Sequence, residues 1–252
     1  MSAAAIPPAN RLLRLPGVVV KVYREPWRAL TEDVALQRLS RADVQAPSVL
    51  AGGSLRGRKL LILQRLQGSP AGSGEEAARR VITYLHHVHQ ITGPRFGRLF
   101  APAAASWQEY LRERLLSYQT SLAGHGFHEA AATAEALSCS PLPEPAAPCL
   151  LHNDPEPGNF LFRPASIVGL DWELAIYGDP GLDYARAAHA FAVRPDRLPP
   201  LLADHGIPHS KEALGVYRSV HLLGRLMSAV TAIPPDSAAA QRHARDLIGK
   251  TN

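Results

Sequence analysis

The chain has 252 residues, 46% hydrophobic and 19% charged, which gives enough apolar content for a sizeable core and too little charge for a disordered polymer. Formal net charge is +5, with 15 Lys and Arg against 6 Asp and Glu in residues 1–99 and 12 against 16 in residues 100–252; the basic residues are not interleaved with aromatics, which disfavours a nucleic-acid surface. No apolar run approaches the ~18 residues that cross a bilayer, the N-terminus lacks the pattern of a secretory leader, and Cys139 and Cys149 have no zinc-like spacing, so a cytoplasmic protein with no membrane partner is expected.

In chain order, Leu12–Leu15 and Val18–Tyr23 read as short strands joined at Pro16-Gly17. Thr31 reads as the N-cap of a short helix carrying Glu32, Val34, Leu36 and Leu39. Pro47–Leu50 and Lys59–Leu63 read as further strands, and the Gly/Ser/Pro-rich stretch 67–74 as flexible chain. Ala78, Val81, Ile82, Leu85 and Val88 recur at helical spacing and predict a helix over Glu75–Ile91. Ser106–Leu122 and His128–Leu137 read as helices, 141–148 as a proline-rich loop, and Cys149–Leu151, Phe160–Phe162 and Ile167–Leu170 as short strands. Beyond Pro180 the pattern is helical, with breaks near Pro195, 206–208 and Pro234. Strands with one helix, then a linker, then mostly helices predict an α+β fold of two lobes, one over 1–66 and one over 67–252.

The segment carrying most chemistry is His152-Asn-Asp-Pro-Glu-Pro-Gly-Asn159, set between two apolar strands. Asp154 and Asn159 can meet in one cleft, where a carboxylate can take a proton from a hydroxyl and an amide oxygen can ligate a metal. Further on, Gly169-Leu-Asp-Trp-Glu173 places Asp171 at a strand end, a position suited to Mg²⁺ and its preference for oxygen ligands.

These motifs, followed by Gly178-Asp-Pro-Gly-Leu-Asp183, resemble the aminoglycoside phosphotransferase and choline kinase superfamily, whose fold is protein-kinase-like. The resemblance implies a small strand-rich nucleotide-binding lobe, a larger helical lobe, ATP and Mg²⁺. It implies Asp154 as base, Asn159 and Asp171 as metal ligands, and His152, Asp179 and Asp183 as supports. Val18-Val-Val-Lys-Val-Tyr23 resembles the strand whose lysine, here Lys21, holds the triphosphate, and Glu32 resembles its helix partner. Leu60–Leu66 resembles the strand and hinge that meet adenine, which puts Arg65 and Leu66 beside the base. The acceptor is expected to be a small alcohol or amino-alcohol, choline-like, or an aminoglycoside. Gly17 is the only glycine before Lys21, so the glycine-rich loop of protein kinases is shortened or replaced; this motivates the alternative of a pseudokinase-like binding module. The motifs do not specify an oligomeric state.

Other patterns read as structural. His86, His87 and His89 share one expected helix and are assigned to surface and packing roles rather than metal binding. Gly249-Lys-Thr251 lacks the upstream glycine of a phosphate-binding loop. Trp107 and Trp172 could face a cationic acceptor, but core packing is the stronger expectation.

Overall fold

The computed structural model describes residues 10–100, 104–232 and 234–249. The valine run builds β2 (Val18–Tyr23), an inner strand of a four-stranded antiparallel sheet with β1 (Asn10–Leu15), β3 (Val49–Leu55) and β4 (Arg58–Gln64), in the order β1-β2-β4-β3. Gly17, at φ 76°, supplies the left-handed backbone that turns β1 into β2. Arg56 and Gly57, at φ 50° and 77°, turn β3 into β4 with two successive left-handed residues, the signature of a tight hairpin. This hairpin carries β3 to Leu55 through Gly52 and Gly53, well beyond the strand expected over Pro47–Leu50.

Helix α1 (Pro26–Arg41) also starts earlier than the sequence suggests. Pro26 opens it, because a first-turn position needs no amide donor and proline already has a helical φ. Thr31 is therefore not a cap. It lies buried inside the helix and its hydroxyl donates to the Trp27 carbonyl at 2.9 Å. α1 lies against β2 and β4 and carries Glu32 into the interior.

The stretch 67–74 is more ordered than its composition predicts. Ser69–Pro70 forms β5, which pairs with β8 (Phe160–Phe162); β9 (Ile167–Gly169) completes that small sheet. The chain continues through α2 (Glu75–Val88), β6 (Gly97–Arg98), α3 (Trp107–Gly124) and α4 (His128–Cys139). β7 (Cys149–Leu151) and β6 flank β10 (Ile176–Gly178) in a third sheet. Helices α5 (Pro180–Ala190), α6 (Leu198–Asp204), α7 (Lys211–Thr231) and α8 (Ser237–Ile248) follow.

Two apolar clusters flank the loops that leave β7 and β9. One joins Tyr23, Leu39 and Leu61 of the first sheet and α1 to Val81 and Leu85 of α2 and to Phe160, Trp172 and Phe191. The other joins α3, α4, α7 and α8 through Trp107, Leu111, Leu122, Leu223 and Leu226. Trp107 and Trp172 are both fully buried, so they serve as packing residues. Cys149 is buried and Cys139 exposed, and neither is in a disulfide. Among the described residues no helix is long and apolar enough to cross a membrane. Lys250 and Thr251, part of the discarded phosphate-loop pattern, lie outside the described residues.

Candidate active site

The loop between β7 and β8 is held by one carboxylate. Asp183, fully buried on α5, accepts hydrogen bonds from the amides of His152 and Asn153 at 2.7 and 2.8 Å. His89 stands 3.1 Å from the same carboxylate and 3.0 Å from the Tyr184 hydroxyl. Burial acts to raise the Asp183 pKa, yet the bond to His89, its charge and that of His152 outweigh burial and hold it below the usual carboxylate range. Asn153 takes a left-handed φ of 65°, a conformation that costs about 1 kcal/mol. It is locked there by its side-chain bond to the Leu174 carbonyl at 2.7 Å and by the Arg186 guanidinium on its own carbonyl. The His152 Nε2 lies 2.9 Å from the Leu170 carbonyl and ties the loop to the end of β9.

Asp154 follows directly. The Asn159 side-chain amide donates to the Asp154 carbonyl at 2.8 Å and to its carboxylate at 3.1 Å. These bonds use the Asn159 nitrogen and leave its amide oxygen without a partner among the described residues. The Leu170 amide donates to the Asn159 carbonyl at 2.8 Å, which sets Asp171 beside this loop.

Lys21, buried on β2, faces three carboxylates. Its ammonium lies 2.6 Å from Glu32, 2.5 Å from Asp171 and 2.8 Å from Glu173. Burial alone would lower the Lys21 pKa, but Glu32, Asp171 and Glu173 together raise it, so it stays charged. Glu32 also accepts from the Tyr23 hydroxyl at 2.6 Å. Burial pushes its pKa up and Lys21 opposes that rise. Glu173 accepts from Arg28 at 2.6 Å and from the Asn10 side chain. Glu32, Asp171 and Glu173 form the one grouping of three metal-type ligands among the described residues, and the Lys21 ammonium already bridges all three.

Two cavities open on either side of the 152–159 loop. One, of about 430 Å³, is lined by Lys21, Glu32, Arg65, Leu66, Asn159 and Asp171. The other, of about 250 Å³, contains Asp154. In the larger of these the Arg65 amide is bound to the Gly17 carbonyl at 2.9 Å, whereas the Leu66 amide has no partner among the described residues. The donors in this cavity suit Mg²⁺: a free amide oxygen on Asn159, and an Asp171 carboxylate whose side chain is 41% exposed.

The structure thus brings Lys21, Glu32, Arg65, Leu66, Asn159 and Asp171 to one cavity and Asp154 to its neighbour. His152 and Asp183 stand behind the loop. Asp179 stands apart: it caps α5, accepting from the Gly181 amide at 2.7 Å. Of the helix histidines expected in surface and packing roles, His89 is buried and His87 exposed, with His86 3.4 Å from the same Tyr184 hydroxyl. Sequence reasoning missed the parts played by Glu173, Arg28 and Arg186. Glu173 was visible as the last residue of Asp-Trp-Glu; Arg28 and Arg186 carry no local signal.

Residues 12–206 match the model of the phosphotransferase enzyme family. No curated protein matches the chain. Among solved structures, a choline/ethanolamine kinase family protein from Mesorhizobium loti is 19% identical with a TM-score of 0.69, covering 96% of this chain and 84% of that one. A thermostable mutant of aminoglycoside phosphotransferase APH(4)-Ia, in ternary complex with AMP-PNP and hygromycin B, is 17% identical with a TM-score of 0.66, covering 96% and 93%. Macrolide 2'-phosphotransferase MphH from Brachybacterium faecium is 20% identical with a TM-score of 0.61, covering 92% and 84%. At such identities the likeness shows the fold.

Proposed function

We propose, from the premise that this chain belongs to the phosphotransferase enzyme family, that it moves the γ-phosphoryl group of ATP to a hydroxyl of a small molecule. The observation that carries this reading is the position of Asp154, bonded to Asn159 at the wall between two cavities. A base at such a wall can meet an alcohol entering from one side and a triphosphate from the other.

In this reading residues 1–66 form the nucleotide-binding lobe and 67–252 the lobe that holds the acceptor. The Leu66 amide meets the base edge. Lys21, oriented by Glu32, holds the phosphates. Asn159 and Asp171 would hold Mg²⁺, which when bound neutralises charge on the phosphoryl oxygens. Asp154 orients the acceptor hydroxyl and takes its proton as the oxygen attacks phosphorus in line, and ADP leaves. His152, Asn153 and Asp183 keep the base in place by fixing the backbone on its N-terminal side.

The test is ADP release on mixing the protein with ATP, Mg²⁺ and a panel of alcohols, amino-alcohols and aminoglycosides. Acceptor-dependent release that disappears in Asp154→Ala, with nucleotide binding retained, is expected. Nucleotide binding with no transfer to any alcohol would favour the non-catalytic binding module instead.

A further inference from the structure

The cavity at Asp154 is small. Its volume of about 250 Å³ is below the roughly 300–1,000 Å³ of common small-molecule sites, which suits a short-chain or single-ring acceptor. Its charges are unbalanced. Asp154 and Glu156 are the carboxylates among its described lining residues, against guanidinium groups from Arg98, Arg114, Arg186 and Arg225. Glu156 is engaged by Arg225 at 2.8 Å.

The other three arginines have no carboxylate partner among the described residues. The Arg98 guanidinium carbon lies 4.9 Å from the centre of the Trp27 ring. Arg114 donates to the hydroxyls of Tyr118 and Tyr110 at 2.5 and 3.0 Å. Arg186, only 9% exposed, donates to the Asn153 carbonyl and leaves its Nε buried with no partner. Guanidinium groups remain charged in proteins, and an unpaired buried charge is costly. Burial first and the charge of Arg114 second hold Arg186 below the ordinary arginine range, against the smaller opposing influence of Asp183 and Asp154, so like charges stand near each other with no carboxylate in direct ion-pair contact. His221, 6% exposed, contributes a second buried nitrogen with no partner. Burial and then Arg186 keep its pKa well below the usual histidine value, so it offers a hydrogen bond and no charge.

Resting on the phosphotransferase reading above, we propose that the acceptor is a small anionic alcohol, bearing a carboxylate or phosphate that Arg98, Arg114 and Arg186 receive while its hydroxyl reaches Asp154. Guanidinium forks bind the oxygens of carboxylate or phosphate in pairs. A cationic amine would instead add a fourth positive charge to three that lack a partner. The transfer balances: the hydroxyl oxygen bonds to the γ-phosphorus, the bond to the β,γ-bridging oxygen breaks, the proton passes to Asp154 and ADP is released.

The test sets glycerate and glycerol 3-phosphate against choline, ethanolamine and hygromycin B, each at millimolar concentration with ATP and Mg²⁺. ADP release with glycerate identifies a carboxylate acceptor, and release with glycerol 3-phosphate a phosphate acceptor; either supports the proposal. Arg98→Gln and Arg114→Gln should then raise the acceptor KM ~10-fold or more, the loss of one charge-assisted contact, while the KM for ATP moves far less. Equilibrium binding of both anions to the wild-type protein and to each arginine variant is measured alongside. Transfer to the cations alone would overturn the anionic acceptor and keep the phosphotransferase reading. Anion binding that the arginine variants lose, with no transfer to any alcohol, would keep the anion site and sink the phosphotransferase reading. No binding of either anion would overturn the proposal outright.

Discussion

The two cavities flanking the 152–159 loop handle charge in opposite ways. In the first, the buried cation is fully committed: Lys21 touches Glu32, Asp171 and Glu173 before any ligand arrives. In the second, Arg98, Arg114 and Arg186 contact an aromatic ring, hydroxyls and a carbonyl and, among the described residues, form no ion pair with a carboxylate, although Asp154 and Glu156 line the same cavity. A fully paired cluster sets the positions of its members precisely enough for phosphoryl transfer, because every charge has a fixed partner. A cluster with more guanidinium groups than carboxylates instead selects its ligand by sign. Bulk composition points elsewhere: residues 100–252 are net acidic, yet they supply every one of these unpaired arginines except Arg98. Net charge of a region therefore says little about the charge a ligand meets inside it.

The sharpest way to break the comparison is to remove the residue at the wall between the cavities. Asp154→Ala should lower turnover by roughly 10²–10⁴-fold as the loss of a general base, with ATP affinity nearly unchanged because Asp154 lines the other cavity. Single-turnover kinetics beside nucleotide titration check both halves; equal losses in the two would merge the cavities into one functional unit.

Lys21→Met tests the paired side. It leaves three carboxylates within 4.8 Å of one another and should cut kcat/KM for ATP ~10²-fold, the scale for losing one preorganised cation. It also has a pH signature. The Glu32 pKa is already raised by burial, and Lys21 is the main influence opposing that rise. Without Lys21 it climbs further. A carboxyl with a raised folded pKa favours the folded state at low pH and loses that contribution as pH rises through its folded value. Denaturant melts should therefore show the variant's deficit growing from acid towards neutral pH. A deficit independent of pH would mean that Glu32 does not depend on Lys21.

Asp183→Asn probes the frame behind both cavities. The amide keeps one acceptor for the His152 and Asn153 N–H groups, turns an N–H toward the other and drops the charge facing His89, a loss of about 2 kcal/mol. In the wild type the Asp183 pKa is depressed, so its contribution is complete above the ordinary carboxylate pKa near 4 and fades as pH falls through the folded value. The variant should lack that acid-side fall, measured as melting temperature against pH. An unchanged acid limb would place the pH dependence on other groups.

How much of this was legible in the sequence follows the same divide. The pieces that meet at the loop are local: His152 to Asn159 and Asp171 to Glu173 leave neighbouring short strands, and Asp183 lies one turn into the next helix. Spacing along the chain reports such an arrangement. Lys21 and Glu32 were recognisable because a strand lysine and a following helix acid recur together in the resembling superfamily. Helix α1 was misplaced because Thr31 looks like a cap, while Pro26 terminates helices elsewhere but opens this one. β3 was cut short because Gly52 and Gly53 have poor strand propensity, which the Arg56-Gly57 hairpin overrides. The cavity proposed for the acceptor had no sequence signature. Arg98, Arg114, Arg186 and Arg225 sit on β6, α3, α5 and α7, and only the folded chain shows that these four share a cavity with just two carboxylates, Asp154 and Glu156.

The smallest expected effect carries the most information about sign. Glu156→Gln removes one of two carboxylates in the cavity proposed for the acceptor and frees Arg225, with which it pairs at 2.8 Å. Both consequences make the cavity more positive. The pair is partly open to solvent, at 42% and 33% side-chain exposure, so screening limits the change to about 0.5–1 kcal/mol, or roughly two- to fivefold in KM. Magnitude alone would not distinguish this from an ordinary surface substitution, but direction does. An anionic acceptor should bind more tightly to the variant, so its KM falls; a cationic acceptor should bind less tightly, so its KM rises. High salt should shrink either shift, since both arise from partly exposed charges. A falling KM for glycerate or glycerol 3-phosphate, lost as salt is added, would place the selectivity of this cavity in its net positive field. A rise under the same conditions would mean that Arg98, Arg114 and Arg186 serve only to hold the loop and α3 together.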